Sequence, residues 1–128
     1  MCQQEGRGRI LIVDDDPVFC SIMKELLRRH GYRSSIAYSV PEALETLRDC
    51  VPDLVLTDIM MPEVDGLTLL RYLRADPQLS SVPTVVVSAR VMEADQRAAR
   101  EAGADEFIEK PFSMQRLRKT INGYLAAA

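Results

Sequence analysis

Leu54-Val55-Leu56-Thr57-Asp58-Ile59-Met60-Met61-Pro62 is the stretch whose reading decides the fold. An apolar run one strand long ends on a single carboxylate, and a proline follows before any helix can begin. The run has no polar face, so it belongs in the middle of a sheet covered on both sides, as parallel sheets are. In such sheets the helices leave only the rim at the carboxyl ends of the strands free for ligands and chemistry. Asp58 stands on that rim as a candidate nucleophile.

Working outward, five apolar or half-apolar runs alternate with five stretches of helical period, the signature of βαβ units around a parallel sheet. The first strand, Ile10 to Val13, halts at Asp14-Asp15-Asp16. Pro17 suits the first turn of a helix capped by Asp16, with Val18, Phe19, Ile22, Met23, Leu26 and Leu27 spaced as one buried face. The second strand, Arg33 to Tyr38, carries Ser34 and Ser35 and is too polar for the sheet centre, so it is expected at an edge. Ser39-Val40-Pro41-Glu42 fits a capping box before Ala43, Leu44 and Leu47.

Glu63-Val64-Asp65-Gly66 turns the chain into a third helix with Leu67, Leu70 and Leu73 inward. Thr84-Val85-Val86-Val87 reads as a second central strand, within Val82 to Ser88. The next helix, Met92 to Ala102, has only Ala94, Ala98, Ala99 and Ala102 as an apolar face, so little burial anchors it and it is expected to move most easily. Glu106 to Lys110 reads as the other edge strand. Ser113 then caps a helix with Met114, Leu117, Ile121 and Tyr124 facing the core.

The 128 residues suit one domain, with residues 1–8 as a short frayed arm and residues 9–128 folded. No window approaches the roughly 18 consecutive apolar residues of a membrane span, and the start has no apolar core of a signal peptide. Sixteen basic against nineteen acidic side chains give a net charge of -3, which argues against direct nucleic-acid binding. Cys2, Cys20 and Cys50 are odd in number and lack C-x-x-C spacing, so neither a disulfide framework nor a zinc site is expected. Cytoplasmic residence follows as an expectation. Cys20 and Cys50 read as small apolar groups on helices.

The residues after the strands are Asp14, Asp15 and Asp16, then Asp58, Ser88 and Lys110, and a parallel sheet brings them to one rim. Clustered carboxylates repel unless a cation sits among them. Oxygen ligands without histidine or thiolate favour Mg²⁺. A metal, a lysine, a hydroxyl and a free carboxylate suit in-line phosphoryl transfer, with Asp58 forming an acyl phosphate. Taken singly, each residue also has a plainer use. Asp16 caps a helix, Ser88 can cap the next one, Lys110-Pro111 can end a strand, and Asp58 can form an Asx turn. Their convergence favours the chemical reading.

Ile-Leu-Ile-Val-Asp-Asp-Asp-Pro, Thr-Asp-Ile-Met-Met-Pro-Glu-Val-Asp-Gly, Val-Val-Val-Ser-Ala and Glu-Lys-Pro-Phe, in this order, closely resemble the receiver domain of two-component response regulators from about Arg9 to Tyr124. The resemblance implies a flavodoxin-like, doubly wound α/β fold, with a five-stranded parallel sheet in order 2-1-3-4-5 and five helices. It implies Mg²⁺ at Asp14, Asp15, Asp58 and the Met60 backbone carbonyl. It makes Asp58 the phosphoacceptor, Lys110 the phosphoryl-binding lysine with a cis bond to Pro111, and Ser88 and Phe107 the switch pair. Phe107 lacks the hydroxyl of the commoner tyrosine.

Met60 and Arg90 would border the path of the hydrolytic water and so tune a slow dephosphorylation. The implied partners are a sensor histidine kinase or a histidine phosphotransfer protein, plus an output partner or an output domain outside the chain, with phosphorylation-dependent dimerisation as one form of output. The chain would act as a phosphorelay switch rather than a metabolic enzyme. Two rivals stay open: a haloacid dehalogenase-type phosphatase using Asp14, and a degenerate receiver that only binds partners.

Overall fold

The computed structural model describes residues 8–61, 65–90 and 92–126. In it the apolar runs form β1 (Arg9–Val13), β2 (Arg33–Ala37), β3 (Leu54–Thr57), β4 (Thr84–Ser88) and β5 (Glu106–Glu109). Between and after them run α1 (Pro17–Arg29), α2 (Val40–Asp49), α3 (Gly66–Ala75), α4 (Glu93–Ala102) and α5 (Met114–Ala126). All four strand pairings are parallel and the order is β2-β1-β3-β4-β5, so the two most polar strands take the edges as expected. Of the expected arm, residues 1–7 lie outside the described residues, as do Pro62, Glu63 and Val64 of the turn before α3. Gly8 is tied down, its N–H on the Asp53 carboxylate and its carbonyl accepting from Arg33.

Alternation along each strand divides the core into two layers. Ile10, Ile12, Leu54, Leu56, Val85 and Val87 face α1 and α5, while Leu11, Val13 and Val55 face α2 and α3. A smaller cluster of Ile59, Leu70, Val86, Ala99 and Ala102 lies under α4. None of the described helices is long and apolar enough to cross a membrane.

Local rules account for the helix ends. The Asp16 carboxylate accepts from the Val18 and Phe19 amides, capping α1 in front of Pro17. Ser39 caps α2, and Glu42 reaches back one residue beyond the cap to the Tyr38 amide. Ser113 accepts from the Arg116 amide at the start of α5.

The buried face of α1 differs from expectation. Cys20, Met23 and Leu27 point inward, whereas Val18 and Ile22 are 67% and 54% exposed. Helical period groups residues by face, but among the described residues that flank is left largely open, Ile22 facing the groove toward Phe112. In α3 Leu69 joins Leu70 and Leu73, and Leu67 stays half-buried. α4 is thinner than expected, burying Ala99 and Ala102 with Ala94 exposed, and its Met92 cap makes no side-chain hydrogen bond. Cys20 is a buried free thiol, as expected; Cys50 is half-buried at the α2 C-cap and disulfide-bonded, against the expectation that the cysteines form no disulfide.

Candidate functional site

Register sets the site. Val13 pairs with Thr57, so the next residues, Asp14 and Asp58, leave adjacent strands at the same height. Both main chains are still bound to the neighbouring strand, Asp14 N–H to the Ala37 carbonyl and Asp58 N–H to the Val13 carbonyl. The two carboxylates are therefore placed by the sheet itself, and they are 2% and 8% exposed.

Lys110 arrives from the far side, following β5. Its amide donates to the Ser88 carbonyl at 2.9 Å and its bond to Pro111 is cis. Its ammonium donates to Asp14 Oδ2 at 2.8 Å and to Asp58 Oδ2 at 3.1 Å. The opposite oxygen of Asp58, Oδ1, accepts from the Ile59 and Met60 amides at 2.6 and 3.0 Å. The Asx turn and the chemical role are thus compatible, because one oxygen closes the turn and the other faces the lysine. Asp14 Oδ1 accepts from the Asp16 amide.

Burial pushes the Asp14 carboxyl above the ordinary aspartate value, against the opposing pull of its bonds from Lys110 and Asp16. Burial alone would lower Lys110, but the hydrogen bond to Asp14 and the charge of Asp58 outweigh it and leave the ammonium above the usual lysine value. Two carboxylates share one ammonium, so the buried centre has an acidic excess.

That excess fits a divalent cation. Asp15 is exposed beside the centre, and the donor set of Asp14, Asp15, Asp58 and the Met60 carbonyl is all oxygen. Among the described residues no group of three or more acidic, histidine or cysteine side chains stands ready to cage a metal. Mg²⁺ suits such a set, because it keeps several waters and takes only one or two carboxylates.

Ser88 is fully buried at the end of β4, and its Oγ accepts from the Arg90 amide at 3.1 Å. It closes its own loop rather than capping α4, which begins after Met92. The Arg90 guanidinium pairs with Asp95 on α4 at 3.3 Å. With Met60, Asp15 and Asp65 it borders an open cleft of about 380 Å³ beside the Asp58 turn. Phe107 pairs in register with Val86 and packs, half-buried, against the cluster under α4 that includes Ile59, the residue after Asp58.

Two participants carry no site signal in the strand-end pattern. Phe19, on the apolar face of α1, lies with its ring under the Lys110 ammonium, 4.1 Å from the ring centroid. Gly66, at the turn into α3, packs directly on the Asp58 and Ile59 backbone. An aromatic one turn after the acidic run is a usable signal for Phe19; nothing local marks Gly66. At the opposite end of the sheet Arg74 joins α3 to the Gly103, Ser80 and Val82 carbonyls and to the Asp105 carboxylate. The Asp16 carboxylate caps α1 through Oδ1, which accepts from the Val18 and Phe19 amides.

The model of the response regulator receiver domain family matches residues 10–122. Over 119 residues the chain is 35% identical to the polar-differentiation response regulator DivK of Brucella ovis, covering 93% of this chain and 97% of that protein. The receiver domain of a signal transduction histidine kinase from Syntrophus aciditrophicus superposes with a TM-score of 0.89 at 33% identity, covering 94% of this chain and 92% of that one. The receiver domain of a sensor histidine kinase from Pseudomonas aeruginosa, solved with magnesium coordinated in its active-site cleft, gives 0.87 at 26% identity, covering 94% and 99%.

Proposed function

The chain belongs to the response regulator receiver family, and on that premise we propose that Asp58 takes a phosphoryl group from a phosphohistidine on a histidine kinase or phosphotransfer protein. The observation that carries this reading is the Lys110 ammonium held between Asp14 and Asp58 at hydrogen-bond distance from both. A cation in that place sits where charge builds on a transferring phosphoryl group.

A carboxylate oxygen of Asp58 forms the new P–O bond as the P–N bond to the donor imidazole breaks. The electron pair of that bond stays on the imidazole nitrogen, and the product is an acyl phosphate. Lys110 neutralises one phosphoryl oxygen, and the Ser88 hydroxyl leaves the Arg90 amide to bond a second. Asp14, Asp15, Asp58 and the Met60 carbonyl would hold Mg²⁺, which supplies charge neutralisation at the phosphoryl oxygens when bound.

Moving Ser88 frees the space beside it for the Phe107 ring, which lies under thinly anchored α4. Phosphorylation then biases an equilibrium of the face built from α4, β5 and α5 that exists without it. The donor docks in the apolar groove of about 450 Å³ between α1 and the segment after β5, walled by Phe19, Ile22, Leu26 and Phe112. Lys110 also lines that groove, so a helix seated there brings its phosphohistidine to Asp58. The chain turns over only its own phosphoryl group and loses it slowly.

Incubation with acetyl phosphate and Mg²⁺, followed by intact-mass measurement, tests the reading. The wild-type chain is expected to gain one phosphoryl group and Asp58→Asn none. Label persisting in Asp58→Asn would move the nucleophile elsewhere, to Asp14 in the phosphatase reading. No label in either would leave a receiver that only binds partners.

A further inference from the structure

We infer that Phe19 is a positioning residue for Lys110, its ring face holding the ammonium between Asp14 and Asp58. The inference rests on the reading of Asp58 as phosphoacceptor. It gives a role to a side chain that helical period alone places in the core.

Among the described residues the lysine head meets two carboxylates at 2.8 and 3.1 Å and the Phe19 ring at 4.1 Å from its centroid. A cation within about 6 Å of a ring face is attracted by the ring quadrupole, more strongly where water is excluded. The four-carbon stem of lysine is flexible, so contacts on the carboxylate side alone leave the head free to swing outward. The ring supplies a further contact to the head beside those two carboxylates.

Phe19 is itself held at both ends. Its amide donates to the Asp16 cap at 3.2 Å, which fixes the first turn of α1. Its ring meets that of Phe112 edge to face, 6.3 Å between centroids and 87° between planes. Phe112 lies two residues beyond Lys110, so this contact ties α1 to the segment that carries the lysine. The ring also borders a small chamber beneath Asp14 and Asp58, with room for about one water. The ring also packs, half-buried, against the core cluster to which α1 contributes Cys20, Met23 and Leu27.

Because Phe19 also lines the apolar groove, the test uses phosphoramidate, a small donor that needs no docking. Phe19→Leu keeps apolar volume and removes the ring face; Phe19→Tyr keeps the face. The rate of Asp58 phosphorylation is expected to fall about three- to tenfold in Phe19→Leu and to return within about twofold of wild type in Phe19→Tyr, the scale of one half-desolvated cation–π contact. In a Lys110→Met background Phe19→Leu should change nothing, since no ammonium remains to be held. The ε-methylene protons of Lys110 should be shifted upfield by the ring in wild type and Phe19→Tyr, and lose that shift in Phe19→Leu.

A rate unchanged in Phe19→Leu, an equal slowing with and without Lys110, or an ε-methylene signal indifferent to Phe19 would overturn the inference. Wild-type chain that takes no label at all overturns the Asp58 reading instead, and the ring-current shift still reports whether the ring holds the ammonium.

Discussion

Gly66 offers the sharpest test of how the fold positions the site. It is buried at the first position of α3, donates its amide to the Ile59 carbonyl at 3.2 Å, and has no side chain because none fits. A Cβ there would lie 2.8 Å from Ile59 Cα and closer still to the Asp58 carbonyl oxygen, where ordinary contact begins at 3.4 Å. Both obstructing atoms are backbone, so relief requires the start of α3 or the Asp58 turn to move by about 1 Å. Overpacking of this kind costs about 1–3 kcal/mol, and alanine at a glycine position returns about 0.4–1 kcal/mol through the unfolded chain. Gly66→Ala is therefore expected to lose about 1–2 kcal/mol, or roughly 4–8 °C in melting temperature for a chain of this size.

The same movement shifts Asp58 away from Lys110, and misplacement approaching 1 Å can cost up to 10²-fold in rate. Phosphoramidate labelling of Asp58 should slow on the order of tenfold or more. Thermal unfolding by circular dichroism and labelling followed by intact mass read the two effects. A Gly66→Ala chain that melts at or above the wild-type temperature and labels at the wild-type rate refutes the reasoning, because the Cβ would then have found room.

Gly123 is the counterpart, inside α5 with nothing within 4 Å of the place a Cβ would take, so Gly123→Ala should stabilise by about 0.5–1 kcal/mol in the same melts. Tyr124 is pushed up to about 12 by burial and by its hydrogen bond to Glu106. Its unfolded phenol ionises near 10, so the unfolded state sheds protons first and stability falls as pH rises from about 10 to 12; Lys110, also raised, acts in the same sense. Tyr124→Phe should flatten that alkaline decline in urea titrations at pH 9 and 11, and an unchanged slope would count against it. Met60 is half exposed beside the cleft and cannot orient a water, so Met60→Asn should shorten the phosphoryl half-life at Asp58; a half-life equal to or longer than wild type would contradict the assignment.

Much of the fold was legible because parallel strands buried on both faces must be apolar throughout. Leu54 to Thr57 and Thr84 to Val87 announce themselves as central, and Ser34 and Ser35 mark an edge. Strand ends then named Asp14, Asp58, Ser88 and Lys110 without any knowledge of the contacts between them. Helix caps were legible too, since Asp16 and Ser39 act on amides two or three residues away. Periodicity was weaker on α1: it reports which residues share a face, while the exposure of Val18 and Ile22 depends on which parts of that face other elements cover.

The sequence by itself determined the alternation of strand and helix, the edge and centre strands, and the residue types gathered at the carboxyl rim. These follow from local geometry and from burial of apolar runs. Only the tertiary structure decided that Lys110 bridges Asp14, 96 residues earlier, and Asp58. It alone decided that Phe19 lies under the ammonium and that Gly66 must lack a side chain. The physical reason is common to all three. Local pattern sets which way a side chain faces, but the partner it meets comes from strand register and helix docking, which close distances that no sequence spacing records.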